Sequence, residues 1–255
     1  MLKQSVLFAA LLLSVNATSV LGAPVTLVSD GRPRASIVLS AEAAAVNPQD
    51  PNANQDLVHL RWAAEDLASY LRKMSGAEIP VGSVVVENHL PIYVGSPPET
   101  IKLTKSSEFG DAYMIDVSEQ RIVLQGESSR AVYYAAAHLL ESLGVRWYAP
   151  EEMGEHVPQR RTVVVQSGRV EEAPHFQTRH LWGNHPTVHR WLLRNRMGGP
   201  GLAQGHSFES YMQGGKFFEE HPEYYPVIGG KPVKTQANLS NPKVVEIFAN
   251  SIAET

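Results

Sequence analysis

The stretch GESSRAVYYAAAHLLESLGVRWYAP, residues 126–150, decides how the chain is read. Val132, Ala135, Ala136, Leu139, Leu140 and Leu143 recur at spacings of three and four, which lines them along one face of a helix. Ser128 or Ser129 offers a hydroxyl to the orphan amides of the first turn, and Gly144 suits the left-handed residue that ends it. Val145 to Tyr148 then reads as a short strand. A helix with one apolar face, followed at once by a strand, is the building unit of a layered α/β protein in which helices cover a sheet.

The flanking sequence repeats this pattern. Leu57, Leu60, Ala64, Leu67, Leu71 and Met74 share one helical face, so the spacing predicts a helix from about Asn54 to Met74. Asn52 and Gln55 stand at capping-box spacing, and Gly76 stops the helix. Strands are predicted at Val25–Val28 and Ile37–Leu39, around the turn Asp30-Gly31-Arg32-Pro33, and at Ile79–Val86 and Pro91–Val94. Ala112–Val117 and Arg121–Gln125 follow, separated by Ser118-Glu119-Gln120, a hairpin-length gap. Thr162–Gln166 is a further strand. Residues 24–168 thus read as a β-rich α/β sandwich with two long helices on one sheet.

After Glu171-Glu172-Ala173-Pro174 the chain turns rich in His, Trp, Arg and Gly. Phe176–Trp182 reads as a strand, Thr187–Met197 as a helix and Gly198–Gly205 as a glycine-rich loop. Glu209–Glu220 reads as partly helical, broken at Gly214-Gly215. Pro242–Glu254 starts a helix capped by Ser240 or Asn241, with Pro242 in its first turn.

Composition narrows the function classes. Of 255 residues, 43% are hydrophobic and 19% charged, which fits a soluble globular protein. A formal net charge of −4 gives no electrostatic case for nucleic acid or an anionic membrane. The absence of cysteine excludes disulfides, a thiol nucleophile and thiolate metal sites. Lys3, the apolar run Val6–Val15 and the small residues ending at Gly22 read as a secretory signal cut near Gly22 or Ala23. That run is too short to span a bilayer comfortably, so the expectation is a secreted or periplasmic protein free of the membrane after cleavage.

Several motifs carry a family resemblance. Ala63-Ala64-Glu65-Asp66-Leu67-Ala68-Ser69-Tyr70-Leu71, Ile92-Tyr93-Val94-Gly95 and Leu140-Glu141-Ser142-Leu143-Gly144-Val145-Arg146-Trp147-Tyr148-Ala149-Pro150 resemble the accessory N-terminal domain of α-glucuronidases and family 20 β-hexosaminidases. Trp191-Leu192-Leu193-Arg194-Asn195-Arg196-Met197, Gly205-His206-Ser207, His221-Pro222-Glu223-Tyr224-Tyr225 and Asn238-Leu239-Ser240-Asn241-Pro242 resemble the secreted bacterial family called domain of unknown function 4838. The resemblance implies three parts: a signal at 1–23, an accessory α/β sandwich at 24–168, and at 169–255 the first β/α units of an incomplete TIM-like barrel. A full barrel takes about 250 residues, and only about a third of that follows His175.

The implied function is that of an exported glycoside hydrolase-like protein acting in polysaccharide breakdown, with carbohydrate as its substrate and no cofactor. The alternative is a non-catalytic carbohydrate-binding or interaction module, and a metal-dependent hydrolase is a third reading. Glycoside hydrolysis needs two carboxyl groups flanking the scissile bond. In related barrels they lie on later strands, and neither Glu219-Glu220 nor Glu223 makes such a pair.

Binding candidates cluster at expected strand ends, where barrel sites lie. Arg179, Trp182, Asn184 and His185 follow the first expected strand, and they resemble an α-glucuronidase segment with an arginine followed by Asn-His. An arginine fork, an indole face and an amide suit sugar hydroxyls and carboxylates. Arg179 could equally tie the two domains together, and Trp182 could be core. His206 follows the glycine loop, and the family match puts it near the end of the second barrel strand. Arg194 and Asn195 gain weight from the family motif; with Arg190 and Arg196 they form either a basic lining or a solvated helix face. His185 and His189 stand four apart, but Pro186 starts the helix after His185 and no His-Glu-x-x-His motif is present, so no metal is expected.

Overall fold

The computed structural model describes residues 22–99, 101–181, 186–200, 211–212 and 215–253. The chain divides into two compact units, Met1–Pro200 and Gly201–Thr255.

In the first unit the strands and helices run as follows: β1 (Pro24–Ser29), β2 (Arg32–Pro33), β3 (Ala35–Val38), α1 (Ala41–Ala45), α2 (Gln55–Ser75), β4 (Val81–Gly82), β5 (Leu90–Val94), β6 (Tyr113–Val117), β7 (Ile122–Gly126), α3 (Ser129–Ser142), β8 (Arg146–Trp147), β9 (Glu155–His156), β10 (Val163–Gln166), β11 (Gly168–Glu172) and α4 (Pro186–Arg194). The main sheet has the order β11-β6-β7-β5-β3-β4, and β10-β1-β2 form a smaller one. β3 pairs parallel with β4 and β5, and β5 pairs parallel with β7. Parallel neighbours need long crossovers. One such crossover contains α2, and the Gly126 end of β7 feeds α3. β6 and β11 extend the sheet antiparallel from β7.

α3 forms where the apolar period predicts it. Ser128 is its N-cap and accepts from the Ala131 amide at 3.2 Å. Gly144 takes φ 99° just beyond its end. Ala131, Val132, Tyr133, Tyr134, Ala135, Ala136, Ala137, Leu139 and Leu140 are all buried, so α3 is enclosed nearly all round. Its alanines let α2 approach along one side while the sheet covers another. Together these elements make one continuous core with β3, β5, β6 and β7.

Some expectations change. The N-cap of α2 is Asn54, which accepts from the Asp56 amide at 2.9 Å; no Asn52–Gln55 capping box forms. Gln55 turns its amide to the Ala53 carbonyl instead. Ile79–Val86 contributes only the two residues of β4, and Val84 and Val85 are exposed. Phe176–Trp182 is not a strand over its described part: Arg179 alone bridges, to Gly198. α4 ends at Arg194, not Met197. The Arg196 amide donates to the Leu193 carbonyl and the Met197 amide to the Leu192 carbonyl, a Schellman closure with Arg196 at φ 56°.

The second unit contains β12 (Val227–Ile228) and β13 (Lys231–Pro232), an antiparallel hairpin turned at Gly229-Gly230, and α5 (Pro242–Ala253). Met212, Tyr225, Val244 and Phe248 form its core. The fold is mixed α/β, and no closed barrel forms among the described residues. No helix among them is long and apolar enough to cross a membrane.

Candidate functional site

α4 carries Arg190 and Arg194 one turn apart on the face turned toward α2 and α3. Both reach Asp66 of α2, whose side chain is 6% exposed. Arg190 Nη2 donates to Asp66 Oδ1 at 2.8 Å; Arg194 donates through Nε to Oδ2 at 2.9 Å and through Nη2 to Oδ1 at 3.0 Å. The Tyr133 hydroxyl donates to the same carboxylate. Burial alone pushes the Asp66 carboxyl up, but the two guanidiniums outweigh it and hold the group below the usual carboxylate range. Arg194 continues to Glu155 at 3.3 Å, which also takes Lys73 Nζ at 2.6 Å and the Tyr70 hydroxyl. Trp191, between the two arginines, donates its indole N–H to the Trp147 carbonyl at 2.9 Å.

A second buried acid holds the segment around Arg179. Asp111 is fully buried and accepts from Arg130 Nη2 and Arg179 Nη2, each at 2.6 Å. Arg179 also donates to the carbonyls of Arg196 and Phe176, at 3.0 and 2.8 Å. The Tyr134 hydroxyl donates to the Met197 carbonyl at 2.6 Å. Gly198 is needed here: a Cβ would stand 2.3 Å from the Tyr134 oxygen. Burial and the charge of Asp111 push the Tyr134 phenol up to about 12, so it stays a neutral donor.

Between this clamped segment and the sheet lies a cavity of about 450 Å³, lined by Tyr113, Tyr134, His138, Glu172, His175, Arg179, Asn195 and Arg196. Its volume falls in the range of about 300–1,000 Å³ usual for small-ligand pockets. Tyr113 and Tyr134 form an edge-to-face pair with ring centroids 6.4 Å apart. The Tyr113 hydroxyl and His138 Nδ1 are 3.0 Å apart. Burial, then the charge of Arg196, lowers the His138 imidazole below its ordinary value, so it is neutral at pH 7. Arg196 pairs with Glu141 at 2.6 Å. Asn195 spends its amide hydrogens on the Trp147 and Trp191 carbonyls, leaving its carbonyl oxygen as an acceptor. The cavity thus mixes neutral imidazole, amide oxygen, carboxylate and phenol against aromatic walls, a set that both donates to and accepts from hydroxyls.

Among the residues singled out from sequence, Arg179, Asn195 and Arg196 share this cavity. Arg179 is 16% exposed, and its guanidinium is largely occupied by Asp111 and backbone carbonyls of the same unit. Arg194 lies outside the lining, in the Asp66–Glu155 network. Trp182, Asn184, His185 and His206 lie outside the described residues. No group of three or more His, Cys, Asp or Glu that could hold a metal occurs among the described residues.

Sequence reasoning missed Asp66, Asp111, Glu155, His138 and Glu172. A signal existed for the first: Asp66 stands three after Ala63 and four before Tyr70, both buried, so an acid falls on a buried stripe of α2 and requires a cation. Arg190 and Arg194, flanking Trp191 and Leu193, are the matching half.

The family model described as domain of unknown function (DUF4838) matches residues 147–255. No curated protein matches the chain. Solved structures that resemble it include the Streptomyces plicatus N-acetyl-β-hexosaminidase, at 15% identity and TM-score 0.37 over 62% of this chain and 25% of that one. The GH20 β-N-acetylhexosaminidase from Streptomyces coelicolor A3(2) gives 16% and 0.38 over 62% and 25%. A family GH115 4-O-methyl-α-glucuronidase, with specificity for decorated arabinogalactans, gives 19% and 0.48 over 68% and 25%. The chain spans about a quarter of the length of these structures.

Proposed function

We propose that this chain is the carbohydrate-binding and scaffolding part of an exported, glycoside hydrolase-like protein that acts in polysaccharide breakdown. The observation that carries the reading is the cavity at Glu172, His175 and Asn195, where donors and acceptors for hydroxyl groups converge between aromatic walls. The clamps at Asp66 and Asp111 support it, because they fix Arg179 and the Arg194 end of α4, beside which Asn195 and Arg196 line the cavity. In this reading the hydrolytic carboxylates belong to the barrel implied by the family resemblance.

The state of Asp66 favours binding over catalysis within this chain. It is held between two guanidiniums that keep its carboxyl below the usual carboxylate range, whereas a glycosidase acid must keep its proton.

Affinity electrophoresis of the purified chain through gels containing soluble polysaccharides tests the proposal. Retardation by at least one polysaccharide is expected, weakened about tenfold by Glu172→Gln, the loss for a hydrogen bond to a charged group. Aryl glycosides should not be turned over. Unretarded migration in every gel, or retardation indifferent to Glu172→Gln and His175→Ala, would refute the site. Export is tested by Edman sequencing of the chain recovered from outside the cytoplasm, which should begin at Ala23 or Pro24.

A further inference from the structure

A second hollow adjoins the cavity at His138. β6 and β11 pair with Tyr113 opposite Glu172, Ile115 opposite Val170 and Val117 opposite Gly168. Residues two apart on a strand face the same side, so these pairs are successive rungs of one wall. Tyr113 and Glu172 line the polar cavity. The next rungs, Ile115 with Val170 and Val117 with Gly168, line a second hollow of about 590 Å³. The opposite wall is α3, where Tyr134, His138 and Ser142 follow at spacings of four along one side. Tyr134 lines the first hollow, Ser142 the second and His138 both. The two hollows therefore lie end to end along the trough between α3 and the edge strand β11, with His138 lining both.

The ends differ in chemistry. Beyond His138 the lining becomes mainly apolar: Leu139, Leu143 and Val164 join Ile115, Val117 and Val170, with Arg160 and Arg169 beside them and no carboxylate. Val164 and Val170 are each 41% exposed, so apolar surface stays open to water directly beside the polar end. A free sugar would fill the first half and leave the second wet. A simple lipid would leave the first half's donors and acceptors unused.

We propose that the trough binds an amphiphilic glycoside, its sugar at the Glu172–Asn195 end and an apolar aglycone, alkyl or aryl, along Val170 and Val164. This rests on the carbohydrate-binding reading above and names the class of ligand for the same site. His138, at the junction, faces the glycosidic link.

Isothermal titration of the purified chain with methyl, butyl and hexyl β-D-glucopyranoside, below micelle formation and with hexan-1-ol as control, tests it. Each buried methylene tightens binding about fourfold, so burying only two of the five added methylenes gives about a fifteenfold gain from methyl to hexyl. Val170→Ser, at a half-exposed position where the fold tolerates a small polar side chain, should abolish most of that gain. Glu172→Gln should weaken all three glycosides by a common factor and leave the gain intact. Equal binding of methyl and hexyl glucosides overturns the inference while leaving carbohydrate binding standing. Hexanol binding as tightly as hexyl glucoside, or an unchanged gain in Val170→Ser, overturns it as well. Binding of none of the glycosides overturns both this inference and the reading it rests on.

Discussion

Replacing Asp66 by Asn tests whether the segment after β11 is held by charge. The substitution keeps the size of the side chain and removes its charge. Arg190 and Arg194, about a quarter and a seventh exposed, then face an amide whose oxygen keeps one of the two acceptor positions while its hydrogens oppose the donors at the other. Breaking a buried ion pair from one side costs about 3–5 kcal/mol. Partial exposure of both guanidiniums lets water relieve some of this, so about 3 kcal/mol is the working figure. For a unit of this size that lowers Tm by roughly 6–12 °C. Thermal unfolding followed by circular dichroism reads the loss, and Trp191 fluorescence reports whether α4 leaves with it. The triple replacement Asp66→Leu, Arg190→Met, Arg194→Met removes Asp66 and both arginines together, leaves Glu155 to Lys73, and should recover part of the stability. An Asp66→Asn protein within about 0.5 kcal/mol of the parent, the ordinary scatter of surface substitutions, would refute the charge-clamp account. The sign with pH is fixed too. The folded carboxyl sits below its unfolded value, so its contribution is present above the unfolded pKa and is lost as pH falls through the folded one.

His59 titrates in a region where Asp66 does not. Burial, with the nearby charge of His189, lowers its imidazole to about 4, so between about 6.5 and 4 the unfolded chain takes up a proton that the folded one refuses. Stability should therefore fall as pH drops through that window, and His59→Gln should flatten this part of a urea-unfolding profile. Glu151 stands at φ 68° and ψ 174°, a region open essentially to glycine alone. Glu151→Gly should raise stability by about 1 kcal/mol in the same assay. Gly198→Ala should lower it by about 1–3 kcal/mol, because the new Cβ meets the Tyr134 oxygen at 2.3 Å, and Tyr134→Phe should restore part of the loss.

Much of the scaffold was legible locally. α2 and α3 announce themselves through one apolar face each and a glycine after each end, Gly76 at φ 78° and Gly144 at φ 99°. The β6–β7 hairpin follows from two apolar runs and a short gap. Where competing caps stood close together, as at Asn52 and Asn54, sequence could not choose, since both offer the same amide chemistry. The Phe176–Trp182 run looked like a strand because its composition suits one. Arg179 instead turns its guanidinium to Asp111 and pairs its backbone with Gly198 alone.

The order of apolar and polar residues along the chain settled by itself that this is an α/β protein with two amphipathic helices over a sheet, because a helix or strand period is written within a dozen neighbouring residues. Tertiary structure alone decided that Arg190 and Arg194 face inward, that β11 forms the sheet edge beside α3, and that Glu172, His138 and Asn195 share a hollow. The reason is distance in sequence. Asp66 meets Arg190 across 124 residues, and Tyr113 meets Glu172 only through strand register. No local period records either meeting.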